Sequence, residues 1–236
     1  MSITIHNQRV RIWDYALSYF FDRQLALAHS SFNPYLEVVL SSGRVQLNTN
    51  KVTYSHEDLY HTFFYAFQKK AVQRRAFKKV LILGMGLGSI QTMLCQKFGQ
   101  KAAKYTAVEI DGIIIDLATM YMNPTALKKT DIYCTDAYDF VLEKSNNGNE
   151  KYDLIAVDIF LDAETPNKFR GKFFLSYLDE LLAENGLLFY NTLLVEPHLK
   201  RQSEHFYEHI FTKVFSQKHC EAIENKGNKM LIYNKL

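Results

Sequence analysis

Ten residues constrain this chain more than any others: Val80-Leu81-Ile82-Leu83-Gly84-Met85-Gly86-Leu87-Gly88-Ser89. Four apolar, β-favouring residues run without a polar break, so both faces of the strand they form must be covered, as in a parallel sheet sandwiched by helices. Three glycines then alternate over five residues, where the lack of a Cβ permits a sharp turn and a close approach to the backbone. Ile90, Met93, Leu94 and Phe98 follow at helical spacing. Strand, glycine turn and helix together aim free backbone N–H groups and the positive end of a helix at a bound nucleotide.

The rest of the chain repeats this alternation. Strands are expected at Tyr105–Ile110, Asp131–Cys134, Leu154–Val157 and Leu187–Tyr190. Helices are expected over Glu57–Phe77, Ile113–Met122, Asp139–Lys144, about 170–183 (capped by Asn185-Gly186) and 198–215. A hairpin around Asn225–Asn228 closes the chain. Before Glu57 the pattern changes to β-rich runs broken by turn signals, including Tyr15–Phe21, Gln24–Ala28 and a hairpin at Ser41-Ser-Gly43. The expected fold is α/β: a doubly wound, Rossmann-like sheet (residues 57–236) preceded by a small antiparallel β domain (residues 1–56).

Composition excludes several classes. The 236 residues are 47% hydrophobic and 22% charged, as in ordinary globular proteins. A formal charge of +3 is too small to imply a nucleic-acid or membrane partner. Cys95, Cys134 and Cys220 are scattered, lack metal-ligand spacing, and read as buried reduced thiols. With no signal peptide or apolar span in evidence, a cytoplasmic location is expected, and no metal.

Glu109, Asp136 and Asp158 each stand at the carboxyl end of an expected strand, on the edge that the glycine turn occupies. Glu109 lies 23 residues after Gly86. A carboxylate there can accept hydrogen bonds from both hydroxyls of a ribose. Asp136, beside Ala137, suits the exocyclic amine of an adenine, and Asp158 suits the reactive end of the ligand. Each is equally suited to capping a helix. NAD fits less well than S-adenosylmethionine. Its fingerprint puts a third glycine or alanine where this chain has Ser89.

With these residues in place, the chain resembles the spermidine synthase family, from about Tyr35 to Asn191. The likeness is carried by Gly43-Arg-Val-Gln46, Ser55-His-Glu57, Val80–Ser89, Val108-Glu-Ile-Asp111, Thr135-Asp-Ala137, Tyr152–Asp158 and Phe173–Gly186. The resemblance implies that the sheet is of the methyltransferase-type Rossmann kind, that Gln46, Gly84, Gly86, Gly88, Glu109, Asp136 and Ala137 bind the cofactor and that Asp158 is the catalytic base. On the acceptor side it implies His56, Glu57, Asp162 and Glu164, and it implies a homodimer with the β domain as the contact.

Several positions depart from the family pattern. Leu87 replaces an aspartate that pairs with the amine of decarboxylated S-adenosylmethionine and would repel the carboxylate of the ordinary cofactor. Ser55 replaces a tyrosine, Lys51-Val52 replace an Asp-Glu pair, and the loop after Asp158 is stretched to Asp158-Ile-Phe-Leu-Asp162. A diamine pocket needs a carboxylate at each end, because each buried ammonium must be paired. The favoured reading is therefore S-adenosylmethionine-dependent methyl transfer to a small molecule. Aminopropyl transfer from the decarboxylated cofactor and nucleoside binding without catalysis are the alternatives.

Overall fold

The computed structural model describes residues 2–5, 10–49, 53–56, 60–148, 150–161 and 164–236. Two sheets organise them. The first is antiparallel, in the order β1 (Ser2–Ile5), β2 (Arg23–His29), β3 (Leu36–Ser41), β4 (Arg44–Asn48) and β5 (Thr53–His56). Its β3–β4 hairpin turns at Ser42 and Gly43, whose positive φ values of 51° and 74° are those of a two-residue turn matched to the strand twist.

The second sheet carries β6 (Lys79–Leu83), β7 (Lys104–Glu109), β8 (Thr130–Cys134), β9 (Tyr152–Val157), β10 (Leu182–Leu193), β11 (Cys220–Asn225) and β12 (Asn228–Asn234). Its strand order is β11-β12-β10-β9-β6-β7-β8. The five strands β6 to β10 are parallel, whereas β11 and β12 run as an antiparallel hairpin against β10. The chain first winds outward through β7 and β8, then returns to the other side of β6 with β9. The crevice of such a sheet lies at this reversal, beyond the carboxyl ends of β6 and β9.

The alternating pattern is realised with shifted ends. The helix expected from Glu57 is described as α2 over His61–Lys69. It stops because Ala71 takes a left-handed conformation before a single 3₁₀ turn. After the glycine turn comes α3 (Ser89–Lys97), and after β7 comes α4 (Gly112–Tyr121). Asn123 then caps a further short helix, α5 (Pro124–Leu127), where only a stop was expected. After β8 comes α6 (Ala137–Asn147), and before β10 comes α7 (Lys172–Leu181). The expected cap at Asn185-Gly186 is not used by α7, which ends at Leu181. Asn185, not Gly186, takes the positive φ, in the irregular entry to β10. The last helix, α8 (Pro197–Phe206), loosens into a wide turn over Tyr207–Phe211.

Two further expectations are corrected. Tyr15–Phe21 is not a strand. Ile12–Leu17 is helical, secured by Asp14, whose carboxylate accepts the Arg11 amide at 2.7 Å and pairs with Arg23. Of the cysteines, Cys95 is buried, Cys134 is exposed and Cys220 lies between.

One part of the core spans both sheets. Leu25, Leu36, Val38 and Leu47 of the antiparallel sheet pack in one apolar cluster with Met85, Leu87, Ile113 and Leu117. Among the described residues no helix is long and apolar enough to cross a membrane.

Candidate active site

A cavity of about 490 Å³ opens at the carboxyl edge of the parallel sheet. The glycine turn forms its floor because the backbone there is packed too tightly for side chains. Gly84 has φ +86°, and a Cβ on it would stand 2.3 Å from the Asp158 carbonyl oxygen. The neighbouring strand ends are joined here, with the Gly84 amide on the Val108 carbonyl (2.9 Å) and the Asp158 amide on the Leu83 carbonyl (2.8 Å). Gly86 lines the cavity beside Gly84. Gly88 caps α3 and faces Met122 instead, whose Sδ is 2.4 Å from where its Cβ would be.

Glu109 reaches from the end of β7 across this turn. Its Oε2 accepts the amides of Met85 (3.1 Å) and Gly86 (3.2 Å), and its Oε1 accepts that of Asp111 (3.2 Å). Burial raises its pKa, and these three amides oppose the rise. A carboxylate has about four acceptor sites, two on each oxygen, so with two amides on Oε2 and one on Oε1 the remaining site for a ligand hydroxyl is on Oε1. Val108, Ile110, Ile114, Ala137 and Phe169 give this end apolar walls. The loop after β2 closes it with Phe32 and Asn33. That loop is tied down by the fully buried Asp111, which accepts Asn33 Nδ2 (2.7 Å) and the Ser30 hydroxyl while capping α4 through the Ile113 amide (3.0 Å).

Asp136 lines the cavity as expected, yet it also caps α6 through the Tyr138 amide (2.8 Å) and pairs with Lys168. Lys168 belongs to the loop after β9, whose Ile159, Phe160, Leu161 and Pro166 also line the cavity.

Asp158 ends β9 at the other end of the cavity. Its Oδ1 accepts the Tyr60 hydroxyl (3.1 Å) and Asn191 Nδ2 (3.0 Å). Asn191 also donates to the Tyr60 oxygen (3.2 Å), and its own Oδ1 accepts Asn228 Nδ2 (3.1 Å). Burial pushes the Asp158 pKa up to about 7, against the two hydrogen bonds that lower it. Burial and the neighbouring Asp158 charge raise the Tyr60 pKa well above its usual value, so it stays a neutral donor. The arrangement is a carboxylate poised between its two protonation states near neutral pH, with no partner on Oδ2 among the described residues.

Tyr60, Asn191 and Asn228 were not singled out from the sequence. Asn191 carried a readable signal, a polar residue at the carboxyl end of a strand, like Glu109 and Asp158. Other expected residues lie elsewhere. Gln46 is half-buried in β4, opposite Val39 and His56, and does not line the cavity. Leu87 does not line it either. It is 5% exposed within the apolar layer between the sheets, not beside a ligand's tail. Glu164 is turned outward to His198 at 3.4 Å. His56 ends β5, and Glu57 and Asp162 lie outside the described residues. Among the described residues there is no cluster of three or more metal-ligating side chains.

Residues 53–225 match the profile described as the spermine/spermidine synthase domain. The chain belongs to that family. Within it the similarities divide between two activities. An "eEF1A lysine and N-terminal methyltransferase homolog" of Drosophila melanogaster is 27% identical over 159 residues, covering 64% of this chain and 23% of that protein. A polyamine aminopropyltransferase of Vibrio vulnificus is 24% identical over 155 residues, covering 66% of this chain and 50% of that enzyme. The chain thus spans half or less of these curated relatives. The crystal structure of human methyltransferase-like protein 13 in complex with S-adenosylhomocysteine (SAH) shares the fold, with a TM-score of 0.56, 20% identity, and coverage of 71% of this chain and 75% of that one.

Proposed function

We propose that this spermidine synthase family member binds S-adenosylmethionine and directs its methyl group to an amine. The residues present fit such a ligand. An apolar slot for a base leads to Glu109, whose remaining Oε1 acceptor site suits a ribose hydroxyl, and then to the bare backbone of Gly84 and Gly86. When bound, the cofactor supplies a methyl group on a positively charged sulfur. The chain's own residues then have two tasks, to hold the acceptor in line and to receive its proton, and alignment is a large part of such catalysis. Asp158 receives the proton at Oδ2, while Tyr60 and Asn191 hold Oδ1.

The single observation that carries methyl over aminopropyl transfer is the glycine turn. Leu87 occupies the position of the family's aspartate and is packed into the core, so no carboxylate enters the cavity from the turn. Nothing there repels a carboxylated cofactor or attracts its decarboxylated form. The fly relative supports methyl transfer, although its name indicates a protein acceptor where the sequence suggested a small molecule. Aminopropyl transfer is the second reading, favoured by the family profile and the Vibrio relative.

A thermal-shift comparison of the two cofactor forms tests this. A ligand at about 100 times its Kd adds roughly 2.7 kcal/mol of stability. S-adenosylmethionine is expected to bind at least as tightly as its decarboxylated form, and a tenfold preference for the latter overturns the reading. Glu109→Ala is expected to remove about 1.5–3 kcal/mol of binding per charged hydrogen bond lost.

We also propose that the protein pairs with a second copy of itself through the helix at Ile12–Leu17 and the turn after it. Ile12, Trp13, Leu17, Tyr19, Phe20 and Phe21 are all exposed there.

A further inference from the structure

The carboxylates that line the cavity are unevenly committed. Glu109 is held by three backbone amides, and Asp136 by the Tyr138 amide and the Lys168 ammonium. Asp158 feels the Glu109 charge but pairs with no ammonium among the described lining residues, and Tyr60, Asn191 and Asn228 fix its orientation. Because Asn228 donates to the Asn191 oxygen, the Asn191 amide nitrogen is directed at Asp158, and among the described residues nothing bonds Oδ2. The other surfaces here are apolar. Leu193 lies opposite Asn228 in the β10–β12 register, and Val195 follows it beside Gly227. Leu161 faces them from the loop, and Leu161 and Val195 are half-exposed, as expected of a mouth. Glu164, the next described carboxylate along that loop, is engaged outside with His198.

One open carboxylate oxygen pairs one ammonium. A second ammonium against Leu161, Leu193 and Val195 meets no carboxylate among the described residues, and an unpaired charge taken out of water is strongly disfavoured. We infer that the acceptor is a monoamine: one protonatable nitrogen at Asp158, carried on an apolar body that lies along Leu161, Leu193 and Val195. The inference rests on the transferase reading for its reaction, but the binding preference stands on the cavity itself. The same chemistry is offered by a free alkylamine and by a single amine of a protein chain.

Calorimetry, with and without SAH, tests it with a matched pair. Hexylamine and hexanediamine share a carbon chain and differ by one nitrogen. An acetylated peptide with one lysine between leucines is the protein-type probe. Hexylamine or the peptide is expected to bind at least tenfold tighter than hexanediamine, and the tighter of the two tells a free amine from a protein acceptor. Asp158→Asn is expected to lose amine binding and keep SAH binding. Val195→Glu, at an exposed position, is expected to raise diamine affinity by supplying the second carboxylate. Equal or tighter binding of hexanediamine to the unaltered protein overturns the inference, as does failure of both monoamines to bind. A diamine preference that vanishes in Asp162→Asn also overturns it, by locating a second carboxylate on the loop. Loss of SAH binding with the monoamine preference intact overturns the cofactor reading alone.

Discussion

At the scale of single residues, Asp158 sets the pH behaviour. Its pKa rises from the ordinary 3.8 to about 7 in the folded protein, chiefly through burial. The fold therefore favours the protonated form. The stability this contributes is fully present below the unfolded value of 3.8 and is lost as pH rises through about 7. At 1.36 kcal/mol per unit the contribution is at most about 4 kcal/mol. Asp158→Asn, which mimics the protonated group, should flatten the fall in stability between pH 4 and 7 measured by urea unfolding. Activity should follow the opposite sign, because the base must be ionised. In the native protein kcat/KM should rise through about pH 7, and Asp158→Asn should lower turnover by roughly 10²–10⁴-fold. Turnover that survives the substitution would move the proton acceptor elsewhere. Leu87 makes a second case. Read from the sequence, an aspartate in its place would switch cofactor preference. Since Leu87 sits among Met85, Ile113 and Leu117, Leu87→Asp buries a carboxylate in an apolar layer. The expected result is a loss of about 3 kcal/mol or more of stability, seen as a lowered unfolding midpoint, before any cofactor preference is read.

At the scale of elements, the glycine turn joins fold and site. Gly84→Ala combines a left-handed φ with a Cβ 2.3 Å from the backbone oxygen of Asp158, so the ends of β6 and β9 must separate. It should destabilise by about 3 kcal/mol or more and abolish SAH binding. Gly99→Ala, also at positive φ but with nothing within 4 Å, should cost only about 1–2 kcal/mol and leave binding intact. A similar cost at both sites would mean that crowding against Asp158 is not what demands a glycine at 84. The same comparison shows what the sequence could reveal. The strands from β6 to β10 were legible because buried parallel strands are unbroken apolar runs, and Glu109 and Asp158 were legible because they end such runs. Tyr60 was hidden, being one aromatic among several on a helix, 98 residues from the carboxylate it meets. Asn228 was hidden as a turn residue, since its role exists only once β12 lies against β10. The helix at Ile12–Leu17 was misread because its aromatic residues suggest a strand, whereas Asp14 capping its first turn decides the matter.

At the scale of the whole molecule, the exposed stretch from Ile12 to Phe21 is an apolar feature that a single chain leaves unexplained. Ile12 is 90% exposed, Phe20 77% and Phe21 76%, with Trp13, Leu17 and Tyr19 also mostly exposed. Aromatic side chains bury about 150–250 Å² each. The four aromatics therefore present on the order of 600 Å² at these exposures, already the upper range of patches on monomers. With Ile12 and Leu17 the area approaches the roughly 800 Å² that each partner contributes to a standard interface. The patch is rigid as well as apolar. Ser18 docks it to the β3–β4 hairpin, its carbonyl accepting the Ser42 amide (2.7 Å) and its hydroxyl accepting the Gly43 amide (2.8 Å). On the other side Asp14 pairs with Arg23. A fixed apolar face of this size suits pairing of the same patch across a two-fold axis, as most homodimers do. The protein should run as a dimer in sedimentation. Phe20→Glu with Phe21→Glu should make it a monomer without lowering the unfolding midpoint measured at high dilution, because neither side chain is buried within one chain. A native protein that stays monomeric at every measurable concentration would sink the proposal. The site should survive the split, since no residue of the Ile12–Phe21 stretch lines the described cavity.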